Sequence, residues 1–374
     1  MTRRAKILSI VLIAVLLVGS FAFALSHNNA CGAAPATPAG VASMKAATYR
    51  CYGSPDVVNI ENVAKPAAGD HGLLIRVHAA SVNPLEWHFI RGEPYLIRAA
   101  MTGMGAPTNV RLGTDFAGTV EAVGKLVTRF KPGDEVFGAS GGALAEYITA
   151  WEGGAVVPKP ANVTFEEAAA VPVAGITALR ALRRGKIQAG QKVLVNGAGG
   201  GVGTFTVQLA KAFGTEVTAV TNTGNLELVH SIGADHVVDY THEDFTRGTS
   251  RYDLIVDCGG GHPLTAYRRV LTPTGIYIEV GEVGMGKWIE PFTGAVTQPL
   301  LSSLGKQQFT GLFPNPLSAE DLTTVRSLLE SGKVKPVIDR RYSLEQTSQA
   351  LRYLETGKVR GKLVVTINQA ESAP

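Results

Sequence analysis

The sequence predicts an α/β fold with two folded domains behind one hydrophobic N-terminal helix. Three observations predict it. From Met44 to about Ala150, short β-forming runs alternate with Gly and Pro punctuation. From about Pro172, strands alternate with helices, the pattern of a doubly wound parallel sheet. The first strand of that second half runs into a Gly-rich turn, Asn196-Gly197-Ala198-Gly199-Gly200-Gly201-Val202-Gly203, that opens a helix.

The N-terminal element comes first. Ile7 to Leu25 is a run of 19 residues without a charge, preceded by Arg3, Arg4 and Lys6. As a helix it is about 28 Å long, close to the thickness of a bilayer core. Its length favours a retained single-pass membrane anchor over a signal peptide cleaved near Ala22-Phe23-Ala24. The basic residues would hold its start in the cytoplasm and export the rest. Ser26 to Ser43, rich in Ala, Pro and Gly, reads as a linker.

In the first half, strands are expected at Lys45–Tyr49, Gly72–Ser81, Gly118–Val123, Glu135–Phe137 and Ala145–Ala150. In the second, Lys192–Asn196, Glu216–Thr221, His236–Asp239, Leu254–Asp257 and Ile276–Val280 read as strands. Helices are expected at Ala174–Arg184, Thr204–Phe213, Leu226–Ile232 and Leu264–Leu271. The C-terminal stretch offers helices at Ala319–Ser331 and Leu344–Glu355 and a closing strand at Lys362–Ile367. The expected organisation is 1–43 as membrane segment and linker, 44–171 as one domain completed by 315–370, and 172–314 as the dinucleotide-binding domain.

The formal net charge is +4, but three of the basic residues precede the hydrophobic run. The remaining chain is nearly balanced, which argues against a nucleic-acid partner. Cys31, Cys51 and Cys258 lie far apart without CxxC spacing. They read as three unpaired cysteines, with neither a disulfide framework nor a four-thiolate zinc site.

The Gly-rich turn carries the chemistry. Aligned as a dinucleotide fingerprint it places Ala198, Gly200 and Gly203 at the three small positions, with Gly199, Gly201 and Val202 between them. Small residues permit a sharp turn and close approach of a pyrophosphate, and the helix start offers free N–H groups and a partial positive charge. About 20 residues on, an NAD-selective site carries an acid. Here Thr221-Asn222-Thr223-Gly224-Asn225 offers hydrogen-bonding groups but neither acid nor base. This favours NADP(H), with NAD(H) as the alternative.

From Met44 to Ile367 the chain resembles the medium-chain dehydrogenase/reductases. Within them it resembles the zinc-independent quinone oxidoreductase-like branch, which includes reticulon-4-interacting protein-like proteins. The matching segments are Ala80-Ser81-Val82-Asn83-Pro84-Leu85-Glu86-Trp87, Gly113-Thr114-Asp115-Phe116-Ala117-Gly118, Lys131-Pro132-Gly133-Asp134, Val171-Pro172-Val173-Ala174-Gly175, the Gly-rich turn, and Gly361-Lys362-Leu363-Val364-Val365. The resemblance implies a GroES-like mainly-β catalytic domain beside a Rossmann domain. It implies that Asn83 and Thr177 lie near the nicotinamide, and that Thr221, Asn222 and Tyr240 border the adenosine half. Cys258, Gly259 and Gly281 would line the cofactor, and Lys362 is a candidate to reach the site. Zinc-dependent relatives carry His where this chain has Thr114, and no Cys stands near Asn83, so no zinc is expected. Gly224 stands where relatives often carry a basic residue, and Glu86 replaces a more usual Asp.

Without a Lewis acid, a quinone or an α,β-unsaturated carbonyl is the expected small-molecule acceptor of hydride. Asn83, Glu86 and His88 are the catalytic candidates, the last two as proton donors beside solvent, although His88 reads more readily as a packing or surface histidine. Glu86 also reads as a salt-bridge partner for Arg91, and Trp87 as core. The alternatives are a membrane-tethered dinucleotide-binding scaffold with little turnover and a zinc-independent alcohol dehydrogenase-like enzyme. A homodimer is an admitted assembly.

Overall fold

The computed structural model describes residues 3–35, 38, 40–281, 286–288, 293–312 and 316–367. The expected domain boundary at 314–315 lies outside them. Arg3–Ser26 forms one helix, α1. Among the described residues no helix is long and apolar enough to cross a membrane, so the expected spanning anchor is not supported. The end of α1 instead rests on protein: Leu25 is 1% exposed, and its carbonyl accepts from Arg98 Nη1 at 2.9 Å.

The start of the segment expected to be a linker, His27 to Cys31, also contacts the folded body. Arg98 Nη1 also takes the His27 carbonyl at 3.2 Å and Asn28 Oδ1 at 2.9 Å. Asn29 N–H donates to Gly105 O. Cys31 is bonded to Cys51, which overturns the expectation of three unpaired cysteines. Twenty residues separate the two in sequence, so spacing gave no signal. The chain has to fold back along its own first strand to bring them together. Cys258 alone is free.

β1 (Ser43–Tyr49) and β2 (Val58–Ala64) pair antiparallel. β3 (Gly72–Val82), β4 (Asp115–Val123), β5 (Glu135–Ala139), β6 (Tyr147–Trp151) and β7 (Val156–Pro158) form the main antiparallel sheet. Between β3 and β4 lies the short helix α2 (Pro84–Arg91), and α3 (Phe165–Ala169) leads out of the sheet. Sequence reading passed over β2, β7 and α2. Polar residues interrupt the alternation in β2, β7 has three residues, and α2 is barely two turns long.

Beyond α4 (Pro172–Arg184) come β8 (Lys192–Asn196), α5 (Gly201–Ala212), β9 (Glu216–Thr221), α6 (Leu226–Ser231), β10 (His236–Asp239), β11 (Tyr252–Asp257), α7 (Leu264–Val270), β12 (Leu271–Glu279), α8 (Gly294–Ser303) and β13 (Gln308–Gly311). The six strands are parallel, in the order β10-β9-β8-β11-β12-β13. This is the 3-2-1-4-5-6 order of a Rossmann sheet, and its topological switch point falls between β8 and β11. Val193, Leu194 and Val195 are all buried because helices cover both faces.

The chain then returns. α9 (Ala319–Glu330) buries Leu322, Val325 and Leu329 in the core shared with α4 and α5, a stripe at helical spacing. β14 (Ile338–Ser343) and β15 (Lys362–Thr366) extend the antiparallel sheet beside β3. α10 (Thr347–Glu355) packs Ala350 and Leu351 against that sheet. The return therefore serves both cores and carries Gly361 and Lys362 to the cleft between them.

Candidate active site

The turn after β8 is built by backbone geometry that only glycine tolerates. Gly197 has φ +75°, and a Cβ there would lie 3.0 Å from the backbone of Cys258. Sequence alignment gave the turn position to Ala198. The structure gives it to Gly197, and buries the Ala198 methyl in the core. A Cβ on Gly203 would stand 2.2 Å from Gly197 O, so Gly203 is what allows α5 to press against the turn. Gly200 is the extended N-cap of α5, and no side chain caps it. The first N–H groups of a twelve-residue helix are thus left for an anion, which fits a dinucleotide pyrophosphate.

The C-terminal return closes this turn. Gly361 N–H donates to Gly199 O at 2.8 Å, and Gly200 and Gly361 form an isolated parallel bridge. Next to them the stem of Lys362 crosses Gly201, where a Cβ would meet Lys362 Cδ at 3.1 Å. Lys362 is 3% exposed. Its ammonium donates to the side-chain oxygen of Asn83, to Val82 O at 3.2 Å, and faces Asp115 Oδ2 at 3.5 Å.

Asn83 caps α2 and is held from three sides. Its Nδ2 donates to Asp115 Oδ2 at 3.0 Å. Its Oδ1 accepts from Lys362, and its backbone N–H donates to Glu86 Oε2 at 2.7 Å. The acid and the ammonium fix which way the amide points. Asp115 Oδ2 also accepts from Ser81 Oγ at 2.9 Å, while Oδ1 accepts from Val173 N at 3.0 Å. One buried carboxylate therefore links β3, α2 and the first turn of α4. Asp115 and Ser81 were missed as site residues, although both lie in the quoted segments. A polar residue inside a strand announces itself only when its partners are known.

Glu86 is 1% exposed. Burial, reinforced by Asp115, pushes its carboxyl up to about 7, against smaller opposing contributions from Thr114, the Asn83 N–H and Lys362. Its Oε1 is buried without a hydrogen-bond partner. It does not pair with Arg91, whose guanidinium binds Glu355 at 2.7 Å. The Trp87 indole also donates to Glu355, leaving the ring half-buried rather than in the core. His88 Nδ1 lies 2.8 Å from Glu93 O. A carbonyl only accepts, so Nδ1 carries the proton. Burial lowers the His88 pKa, against smaller opposing contributions from Glu93.

The remaining candidates follow the switch point. Thr177 is half-buried in the second turn of α4. Cys258 N–H donates to Asn196 O at 2.9 Å, and burial raises its thiol pKa. Asp257, which sequence reading passed over, gathers the Asn196 amide at 2.8 Å, Tyr277 OH at 2.8 Å and the N–H groups of Gly259 and Gly260. It thereby locks the end of β11 to that of β8. Gly281 lies just past β12, and nothing among the described residues comes within 4 Å of where a side chain would start. At the other end, Thr221 is buried, Asn222 half-buried and Tyr240 exposed, with Tyr240 N–H donating to Thr221 O. The Thr223 hydroxyl is taken by Asp239 at 2.6 Å.

Among the described residues no group of three or more His, Cys, Asp or Glu side chains comes together as a metal site. The first carboxylate cluster contains Thr at 114 and a buried lysine, a donor set unlike that of tetrahedral zinc.

A Rossmann sheet, an uncapped Gly-rich helix start and a polar cluster delivered by a second sheet define a nicotinamide-dependent oxidoreductase. Residues 69–161 match the alcohol dehydrogenase GroES-like domain, and residues 232–365 match the family described as zinc-binding dehydrogenase. The chain is 36% identical to 2-methylene-furan-3-one reductase of Solanum lycopersicum, over 91% of this chain and 84% of that one. It is 31% identical to the mitochondrial NAD(P)H oxidoreductase RTN4IP1 of Mus musculus, over 79% and 81% respectively. The quinone oxidoreductase of Coxiella burnetii superposes with a TM-score of 0.75 at 28% identity, covering 87% of this chain and all of that one. This chain belongs to the medium-chain dehydrogenase/reductase family, among its quinone oxidoreductase-like members.

Proposed function

We propose that the protein reduces a quinone or an α,β-unsaturated carbonyl at the expense of NADPH, without zinc. The observation that carries this reading is the Asn83–Asp115–Lys362 cluster, tied through Gly361 to the dinucleotide turn. Gly199 to Gly203 would hold the pyrophosphate, with Thr221 and Asn222 toward the adenosine half and Thr177, Cys258, Gly259 and Gly281 along the rest. The reduced nicotinamide, when bound, supplies a hydride.

In this reading Asn83 is the residue that meets the reacting groups. Two of its polar positions are spent on Asp115 and Lys362, which leaves one amide N–H for a carbonyl oxygen. A conjugated acceptor spreads the incoming charge over its π system, so one oriented donor beside a buried ammonium is enough polarisation. Hydride and one solvent proton then give the saturated carbonyl or the hydroquinone. Glu86, beneath Asn83, is a positioning residue that holds the backbone N–H. A saturated ketone lacks the delocalisation and calls for a stronger electrophile.

The test is loss of NADPH absorbance with menadione, methyl vinyl ketone, cyclohexanone and ethanol plus NADP⁺. Turnover is expected with the first two only. Tight dinucleotide binding with no acceptor-dependent oxidation would sink the enzyme reading in favour of a binding protein. Comparable turnover of ethanol would sink the acceptor class.

A further inference from the structure

The loop after β9 carries no basic residue, yet a guanidinium stands against it. A Cβ built on Gly224 would lie 3.1 Å from Arg360 Nη2 and 3.4 Å from Asn222 Oδ1. Arg360 comes from the C-terminal return, far away in sequence. Its place is fixed by the residues on either side of its side chain. Its own N–H donates to Asp339 Oδ2 at 3.0 Å, and the next N–H, of Gly361, is bonded to Gly199 O in the dinucleotide turn at 2.8 Å.

We propose that Arg360 supplies the cation that receives the 2′-phosphate of NADPH, in place of a basic residue on the loop after β9. The assignment rests on the NADPH reading above and names the residue that sets the preference. Gly224 has no side chain, and the guanidinium occupies the space beside it. Arg360 is exposed, and among the described residues no carboxylate pairs with its guanidinium. A planar guanidinium offers a phosphate two parallel hydrogen bonds.

The acid bonded to the loop itself is already engaged. Asp239, at the end of β10, accepts from Thr223 Oγ1 and Thr241 Oγ1, each at 2.6 Å, from Thr241 N at 2.9 Å, and contacts His242 Nδ1 at 3.0 Å. Those donors hold its carboxyl well below the usual carboxylate range. Ringed in this way, Asp239 is a poor acceptor for ribose hydroxyls. Its negative charge makes the arginine more necessary for a dianionic phosphate.

The test is calorimetric titration of the full chain with NADPH and NADH, in the wild type, Arg360→Gln and Arg360→Lys. The wild type is expected to prefer NADPH. Arg360→Gln should weaken NADPH binding by about 10- to 100-fold, the range for losing hydrogen bonds to a charged group, and leave NADH unchanged. Arg360→Lys should recover part of the loss. NADH binding also certifies that the variant is folded. An NADPH preference retained in Arg360→Gln overturns the arginine assignment and leaves the cofactor reading standing. A wild type that binds neither dinucleotide, or both equally, overturns the cofactor reading itself.

Discussion

Asn83 Nδ2 and Asp115 Oδ2 stand 3.0 Å apart, and the other oxygen of that carboxylate takes the Val173 N–H, also at 3.0 Å. The Asn83 amide is thus tied, through one fully buried carboxylate, to the first turn of the helix that carries Thr177. Asp115→Asn keeps the shape but removes the charge facing Lys362. Its expected result is a folded enzyme whose kcat falls by about 100-fold, the scale of a small misplacement of a reacting group, with the KM for NADPH less affected. Asp115→Ala leaves a buried ammonium without its counter-charge and should cost about 3–5 kcal/mol of stability. Steady-state kinetics and urea unfolding check the pair. An Asp115→Asn enzyme with unchanged kcat would remove Asp115 from the site.

Glu86 gives a pH dependence of stability with an unusual sign. Its folded pKa, about 7, is above the ordinary carboxyl value, so the folded state holds the proton more tightly than the unfolded chain. The stabilising contribution is complete below the unfolded pKa and is lost as pH rises from about 4.5 to 7. The loss is about 3 kcal/mol in all. Glu86→Gln, which keeps shape and neutrality, should remove that slope and leave the variant relatively more stable at pH 8 than at pH 5. Thermal melts of both proteins across this range provide the measurement. Parallel curves would mean that Glu86 does not titrate in that window.

Most of the parallel sheet was legible in the sequence, because strands covered on both faces read as unbroken apolar runs such as Val193-Leu194-Val195. The Gly-rich turn was legible for the same local reason: glycine is demanded by backbone within a few residues. What could not be read were the relationships that cross the chain. Lys362 is 279 residues from Asn83, and neither position signals the other. Arg360 beside Gly224 and Cys31 bonded to Cys51 are likewise products of the return and of the fold-back. The apolar N-terminal run was legible as a helix. Periodicity does not record that its last turn docks on Arg98.

Gly203→Ala tests the turn directly. The added methyl would meet Gly197 O at 2.2 Å, and the backbone of Ala198 at 2.8 Å. Neither neighbour is a side chain that can swing aside, so α5 must withdraw from the turn. Expected are loss of measurable NADPH binding by fluorescence titration and a lower melting temperature. Gly190→Ala is a useful contrast. It also has positive φ, +81°, but open space around it, so it should lose about 1 kcal/mol while keeping dinucleotide affinity. Equal NADPH binding by Gly203→Ala and wild type would show that the turn is not where the cofactor sits.

Cys31 and Cys51 staple the N-terminal segment beside the loop that follows α2. Tyr52, next to the bridge, lies under the Arg98 guanidinium at 4.2 Å and hydrogen-bonds Thr102 and Gly103. The same loop carries Tyr95, whose ring meets Trp288 and whose N–H donates to Lys287 O at 2.8 Å across the cleft. Closing a loop of this length stabilises by about 3 kcal/mol on the chain-entropy account. Reductant should therefore lower the wild-type melting temperature and quicken proteolysis around Cys31. A Cys31→Ser, Cys51→Ser double variant should show both effects at the start and no further response to reductant. Thiol titration of the unfolded, unreduced wild type should find one free thiol, that of Cys258. Three free thiols would remove the bridge and leave only the Arg98 and Gly105 contacts to account for the position of the N-terminal segment.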